Sequence, residues 1–449
     1  MPYINEHAHF TPLAAFVGDP LISETLSHMR RLNSSDINAH EWKRIESKVT
    51  PSQFVSKYVT STDGTSMGVP LGNTIPVETI HAMGFAKITI DMNKYLSLYK
   101  KKTISSQNIA SYFITKRWPF LFPGGNIVLE GETSLTRSFS KMLFQQLDSC
   151  RPDAKSESLL ETFECLLKYK KDTLNRKCPH QDCPNPEKRI ESRSGHHRCD
   201  CKHKKDLYSI DALGLHERMN IFGSNCDPYL QVMQVIERLY LINFIRSFEL
   251  AGQLEKIHDY AFIVDGPLAV FQEPGWLSNS IYMELSRINK LVRSISGRDI
   301  LIFGVEKTGE FVDHFNLLDT NKDGFPGNIP PQTTLLIDDL YIQNNIKSSI
   351  ESYGERNYFG RRFFHKTQSG NLFVVSVPFY SQYQKNTDSA NTDQFPRLPD
   401  VLSLLEVLKY YRYPNSLIPI SLAHASVSFP LEMGSKVLRQ FFNESIKNH

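Results

Sequence analysis

The chain has 449 residues, 40% of them apolar and 22% charged, with a formal net charge of +3. This is ordinary globular composition, with room for roughly two to three domains or one large domain with insertions, and it excludes a polycation that coats nucleic acid by bulk charge. No run of 18 apolar residues occurs, and the N-terminus (Met-Pro-Tyr-Ile-Asn-Glu-His-Ala-His) lacks a basic stretch leading into an apolar one. Neither a membrane span nor a signal peptide is therefore expected, and the expected compartment is the cytoplasm.

Residues 1–55 read as a polar helical segment broken at Pro51. Residues 56–92 read as a small antiparallel set. Asp63-Gly64 between apolar stretches is a turn signal, and Phe85-Ala-Lys-Ile-Thr-Ile-Asp-Met alternates in period two. Asp63 thus falls on the first strand or its turn. Leu135 to about Lys171 reads as helices.

A basic, cysteine-rich stretch comes next. Residues 168–205 hold 12 Lys/Arg against 5 Asp/Glu, a net of +7, so the rest of the chain carries −4. Four of the seven cysteines lie here, as Cys178-x4-Cys183-x15-Cys199-x-Cys201. Two close thiolate pairs separated by a loop follow the logic of a structural Zn²⁺ knuckle, although the usual spacing is C-x2-C twice. His180, His196, His197 or His203 is near enough to replace one thiolate. The basic charge suits nucleic acid and suits a solvated insertion equally. Cys150, Cys165 and Cys226 read as small buried hydrophobes.

Tyr229 to Leu250 has a long helical pattern, and Glu237 shares its face with Met233, Tyr240, Leu241 and Phe244. A carboxylate there needs an ion-pair partner or a metal. Ala261-Phe-Ile-Val-Asp265 and Ile300-Leu-Ile-Phe-Gly-Val-Glu306 are apolar runs of strand length, each ending in an acid. Such runs read as strands buried on both faces. Gly266-Pro267 ends the first, which leaves Asp265 at a strand end, where open α/β sheets place their sites. Lys307, beside Glu306, is placed to pair with it or to reach a phosphate.

Asp319-Thr-Asn-Lys-Asp-Gly324 imitates an EF-hand start, but its twelfth position is Pro330 rather than Glu, so it reads as a turn. Thr334 to Ile342 reads as a buried strand interrupted by Asp338 and Asp339. Another strand runs from Asn371 to Pro378, and Asp400 reads as the cap of a helix through Tyr411. His424 sits in the apolar stretch Leu417 to Ala425, before a terminal helix. A lone histidine in such a setting suits a core position as well as a site. Divalent-metal phosphodiester hydrolysis needs clustered carboxylates, which a histidine can complete, and Asp63, Glu237, Asp265, Glu306, Asp339 and His424 are the candidates.

Asp63-Gly-Thr, Asp265-Gly-Pro, Gly304-Val-Glu-Lys-Thr-Gly, Tyr358-Phe-Gly-Arg-Arg-Phe-Phe and Ala-His424-Ala, taken in order, resemble the NurA nuclease family over residues 50–435. The resemblance implies an α/β fold with an RNase H-like mixed sheet flanked by helices, related to Piwi domains. It divides the chain into a helical segment 1–55, a first part of the nuclease domain 56–150, a helical and Cys-rich insertion 151–228, and a second part 229–449. It implies Mn²⁺ or Mg²⁺ held by Asp63, Glu237 and Asp265, with His424 assisting; Glu306, Lys307 and Asp339, read from the residues alone, are then left as supporting or phosphate-binding candidates. It also implies DNA as substrate, a homodimer, and a HerA-type hexameric ATPase as partner in end processing, repair or defence. The Cys-rich insertion and Asp-Gly-Thr in place of Asp-Gly-Ser depart from the family pattern. A non-catalytic DNA-binding adaptor built on the basic segment is the alternative. A guide-dependent Piwi-like nuclease ranks below both, since no 5′-phosphate pocket motif is evident.

Overall fold

The computed structural model describes residues 10–29, 41–53, 56–73, 75–98, 113–153, 156–170, 195–198, 206–321, 324–347, 356–410 and 415–446. The chain divides into two units, Met1–Ile45 and Glu46–His449. The first holds helices α1 (Phe10–Gly18) and α2 (Pro20–Ser27) and a 3-10 turn, Glu41–Arg44. Asp19 caps α2 by accepting from the Leu21 N–H at 2.8 Å, with Pro20 at the first helical position, where no donor is needed.

The second unit is built on a nine-stranded sheet in the order β1-β9-β10-β11-β8-β7-β2-β3-β4. In chain order its strands are β1 (Glu46–Ser47), β2 (Tyr58–Pro70), β3 (Thr79–Asp91), β4 (Phe113–Pro123), β7 (Tyr260–Asp265), β8 (Leu301–Glu306), β9 (Thr333–Leu336), β10 (Gly360–Lys366) and β11 (Leu372–Pro378). β5 (His196–Arg198) and β6 (Asp206–Tyr208) form a separate antiparallel pair. β2, β3 and β4 make an antiparallel meander, and β7 and β8 continue the sheet in parallel with β2. Three antiparallel strands leading into two parallel ones give the RNase H-like mixed sheet that the resemblance implies. β11, β10 and β9 extend it, antiparallel, on the far side.

Both faces are covered, so the central strands are apolar throughout. Phe262, Val264 and Ile302 pack toward α4 (Leu135–Ser149), α5 (Leu159–Leu167), α6 (Cys226–Leu250) and α7 (Leu277–Ser296), which come after α3 (Met92–Leu98) in the chain. Ala261, Ile263, Leu301, Phe303 and Val305 face the opposite way, toward helices at Leu398–Leu408 and Ile418–Val427. Each large apolar side chain buried here stabilises the fold by about 1.5–3 kcal/mol. The helical layer is tied by charge as well. Glu284 on α7 is wholly buried and accepts from Tyr169 Oη at 2.7 Å, from both Arg287 Nε and Nη2, and from Arg246 of α6.

Four local readings are corrected. Asp63-Gly64 is not a turn: β2 runs unbroken through it for 13 residues, and the chain reverses between Pro70 and Thr79. The stretch after Leu336 leaves the sheet, and Asp338 caps a helix at Asp339–Asn345 by accepting from the Tyr341 N–H at 2.8 Å. Asp400 lies inside the first turn of its helix, where Arg397 and Ser52 donate to it. Cys226 is exposed, and Cys150 and Cys165 are half-buried. Five strands, β1, β4, β5, β6 and β10, have no counterpart among the sequence-predicted elements, and in β10 the reason is charge. Its charged residues Arg361, Arg362 and Lys366 hide a buried strand, because each is paired inside the fold.

Candidate active site

The site forms where β7 ends and β2 carries on. Thr62 pairs with Val264, so Asp63 and Asp265 are the next residues on neighbouring parallel strands. Both share the parity of Ala261 and Ile263, the face covered by the Ile418–Val427 helix. That helix delivers His424 from its last turn, and His424 Nδ1 lies 2.9 Å from Asp63 Oδ2. The imidazole is about 60% exposed, so it does not take the core position that its apolar setting also suited.

Glu237 arrives from the opposite face, on α6. Its Oε1 accepts the Gly64 N–H at 3.0 Å. A Cβ on Gly64 would lie 2.8 Å from Phe85 Cε1 and 3.0 Å from both Glu237 Oε1 and Met233 Cγ. Gly64 is therefore what lets α6 press against the strand, and Asp63 Oδ1 accepts the same N–H at 2.9 Å. Asp265 is held by two devices. Gly266 takes the left-handed conformation (φ +81°) to turn the chain. Arg238, buried beside Glu237, donates to the carbonyls of Ala269 and Pro267 at 3.2 and 3.1 Å and so fixes that turn.

Three carboxylates in one place repel one another. Burial raises the Asp63 carboxyl above its ordinary value, and the Asp265 charge adds to this while His424 opposes it. Burial lifts Glu237 to about 8. The Arg238 charge pulls it down, and those of Asp63 and Asp265 push it further up. A carboxylate set of this kind is oxygen-rich and short of positive charge, which is the chemistry of a hard-cation site. Among the described residues, however, no group of three or more His, Cys, Asp or Glu side chains is placed to hold a metal ion as it stands. In the same place Asp63 Oδ2 lies 2.9 Å from His424 Nδ1, and Asp265 Oδ2 lies 2.7 Å from Lys307 Nζ.

The sequence-predicted set thus divides. Asp63, Glu237, Asp265 and His424 come together. Lys307 joins them, paired with Asp265 and not with Glu306. Glu306 is committed elsewhere, bound through both oxygens by Arg362, whose guanidinium also lies over the Phe311 and Tyr358 rings. Asp339 comes after β9, four strand steps from β7 and so roughly 19 Å across the sheet. Its Oδ2 accepts from Gln343 at 2.9 Å. Cys178, Cys183, Cys199 and Cys201, with His180 and His203, lie outside the described residues. Of the neighbouring histidines within them, His196 lies in β5 with Nε2 2.7 Å from Asp206 Oδ1. Arg238 was missed in the sequence, and its signal was there: a second charge beside Glu237 on an otherwise apolar helical face.

The fold and site define an RNase H-like α/β protein with a carboxylate cluster at the end of its parallel strands. No protein-family model matches the chain, and neither does any curated protein. Two solved structures align with it over nearly their whole length. One is the NurA nuclease from Sulfolobus solfataricus, 12% identical, covering 96% of this chain and 99% of that one at a TM-score of 0.32. The other is a NurA structure, 10% identical, covering 98% of each chain at a TM-score of 0.33. The superpositions are loose, and the function of this chain is read from its own residues. No helix is long and apolar enough to cross a membrane among the described residues.

Proposed function

We propose that this protein is a divalent-metal-dependent deoxyribonuclease that hydrolyses phosphodiester bonds. The observation that supports it is the convergence of Asp63, Glu237, Asp265 and His424, from four elements, on one point of the sheet. Asp63, Glu237 and Asp265 are the residues to hold Mn²⁺ or Mg²⁺, which when bound supplies charge neutralisation at the phosphate and a more acidic water. His424 presents Nδ1 to the Asp63 carboxylate, which favours the tautomer with hydrogen on Nδ1 and leaves Nε2 to take or pass a proton. Arg238 keeps Asp265 in place through the Pro267 and Ala269 carbonyls. Lys307, on its flexible stem, is positioned to reach a DNA phosphate. Zn²⁺ on the four clustered cysteines, a homodimer, and a HerA-type hexameric ATPase as partner in DNA end processing, repair or defence complete the proposal.

The test is cutting of linear DNA with Mn²⁺ or Mg²⁺, with and without such an ATPase. Wild type cuts, and Asp63→Ala and Asp265→Ala each lose more than about 100-fold. Equal cutting by either variant would sink the assignment.

A further inference from the structure

Among the described residues, two cations face the three carboxylates, and they are held very differently. Arg238 is 5% exposed, is pinned by two backbone carbonyls, and lies in the field of Glu237, Asp265 and Asp63 together. Lys307 comes just after the last residue of β8 and touches Asp265 at 2.7 Å, with about 31% of its side chain exposed. An ammonium on a four-carbon stem, with water beside it, can leave, whereas a buried guanidinium donating to two carbonyls cannot.

Lys307 holds Asp265 Oδ2, one of the two oxygens that this carboxylate would offer a divalent ion. This contact gives Lys307 a definite job.

We infer that Lys307 is a resident counter-cation: it neutralises Asp265 in the metal-free protein, competes with the divalent ion for that carboxylate, and so sets the cation affinity of the site. This rests on the metal-dependent reading of the site. A lysine that served only to contact DNA would leave metal affinity untouched, and one that only braced the loop after β8 would weaken metal binding when removed.

The experiment is a Mn²⁺ titration of the full chain without DNA, monitored by calorimetry or by the paramagnetic signal of free Mn²⁺. Lys307→Met is expected to bind Mn²⁺ roughly fivefold or more tightly than wild type, the scale of releasing one partly exposed ion pair. Lys307→Arg, which keeps the charge, binds no more tightly than wild type. Circular dichroism checks folding, and Lys307→Gln replaces Lys307→Met if that variant does not fold. Unchanged or weaker Mn²⁺ affinity in the neutral variant overturns the inference. Asp265→Asn separates the two claims. If wild type has no Mn²⁺ site that Asp265→Asn removes, the metal reading falls and the role of Lys307 with it. If that site exists but the neutral variant does not tighten it, only the role of Lys307 falls.

Discussion

A glutamate in water ionises near 4.5, but Glu237, buried between α6 and β2, keeps its proton up to about 8. Desolvation is the main cause, with the Asp63 and Asp265 charges adding to it against Arg238. Between those two values the folded protein binds more protons at this site than the unfolded chain does. The resulting stability is complete below about 4.5 and is lost as pH rises through about 8. In the metal-free protein, the melting temperature of wild type relative to Glu237→Gln should therefore fall across that window. A difference that stays flat or rises with pH contradicts the burial argument. Glu237 was legible in the sequence because a carboxylate on an apolar helical face is costly. The partner of Lys307 was not: Glu306 is adjacent in the chain but points to the other face of β8, where Arg362 holds it.

At the level of elements, Asp-Gly misled because glycine serves two purposes that look alike in one dimension. It turns chains, and it lets another backbone or helix come close. Gly64 does the second, within a strand. Gly64→Ala would set a methyl against Phe85, Met233 and Glu237, and overpacking of this sort costs about 1–3 kcal/mol. Denaturant unfolding should register that loss, and cutting should fall further than stability alone explains, because α6 carries Glu237. A variant as stable and as active as wild type would show that α6 has room to move. β10 was hidden for the opposite reason. Arg361 and Arg362 break its apolar pattern, and only the fold reveals that Arg361 donates to backbone carbonyls and Arg362 to Glu306.

In the whole molecule, β2, β3, β7, β8, β11 and the helix carrying Glu237 were readable from periodicity, whereas the sheet order was not, since β2 pairs with β7 across some two hundred residues. Nor was the buried charge network of the helical layer readable. There burial works to raise Glu284, but hydrogen bonds from Arg287 and Tyr169 and the charge of Arg246 outweigh it and hold the carboxyl at about 2. Removing one member strands buried charge, so Glu284→Ala should cost about 3–5 kcal/mol in thermal or denaturant unfolding. Per folded molecule, DNA cutting should stay at the wild-type level, because this network braces α6 and α7 and supplies no group to the site. A loss of cutting in fully folded Glu284→Ala would mean that the helical layer tunes the carboxylates directly.

The contact between His424 and Asp63 spans 361 positions of chain. During synthesis at about 5–20 residues per second, Asp63 waits roughly 18 to 72 s before its histidine leaves the ribosome. Over that time the nascent chain gains Glu237, then Asp265 and Lys307, and His424 after all of them. The proposed site is thus complete only once His424 has joined it, and a product stalled before that residue would carry the acidic cluster without the histidine.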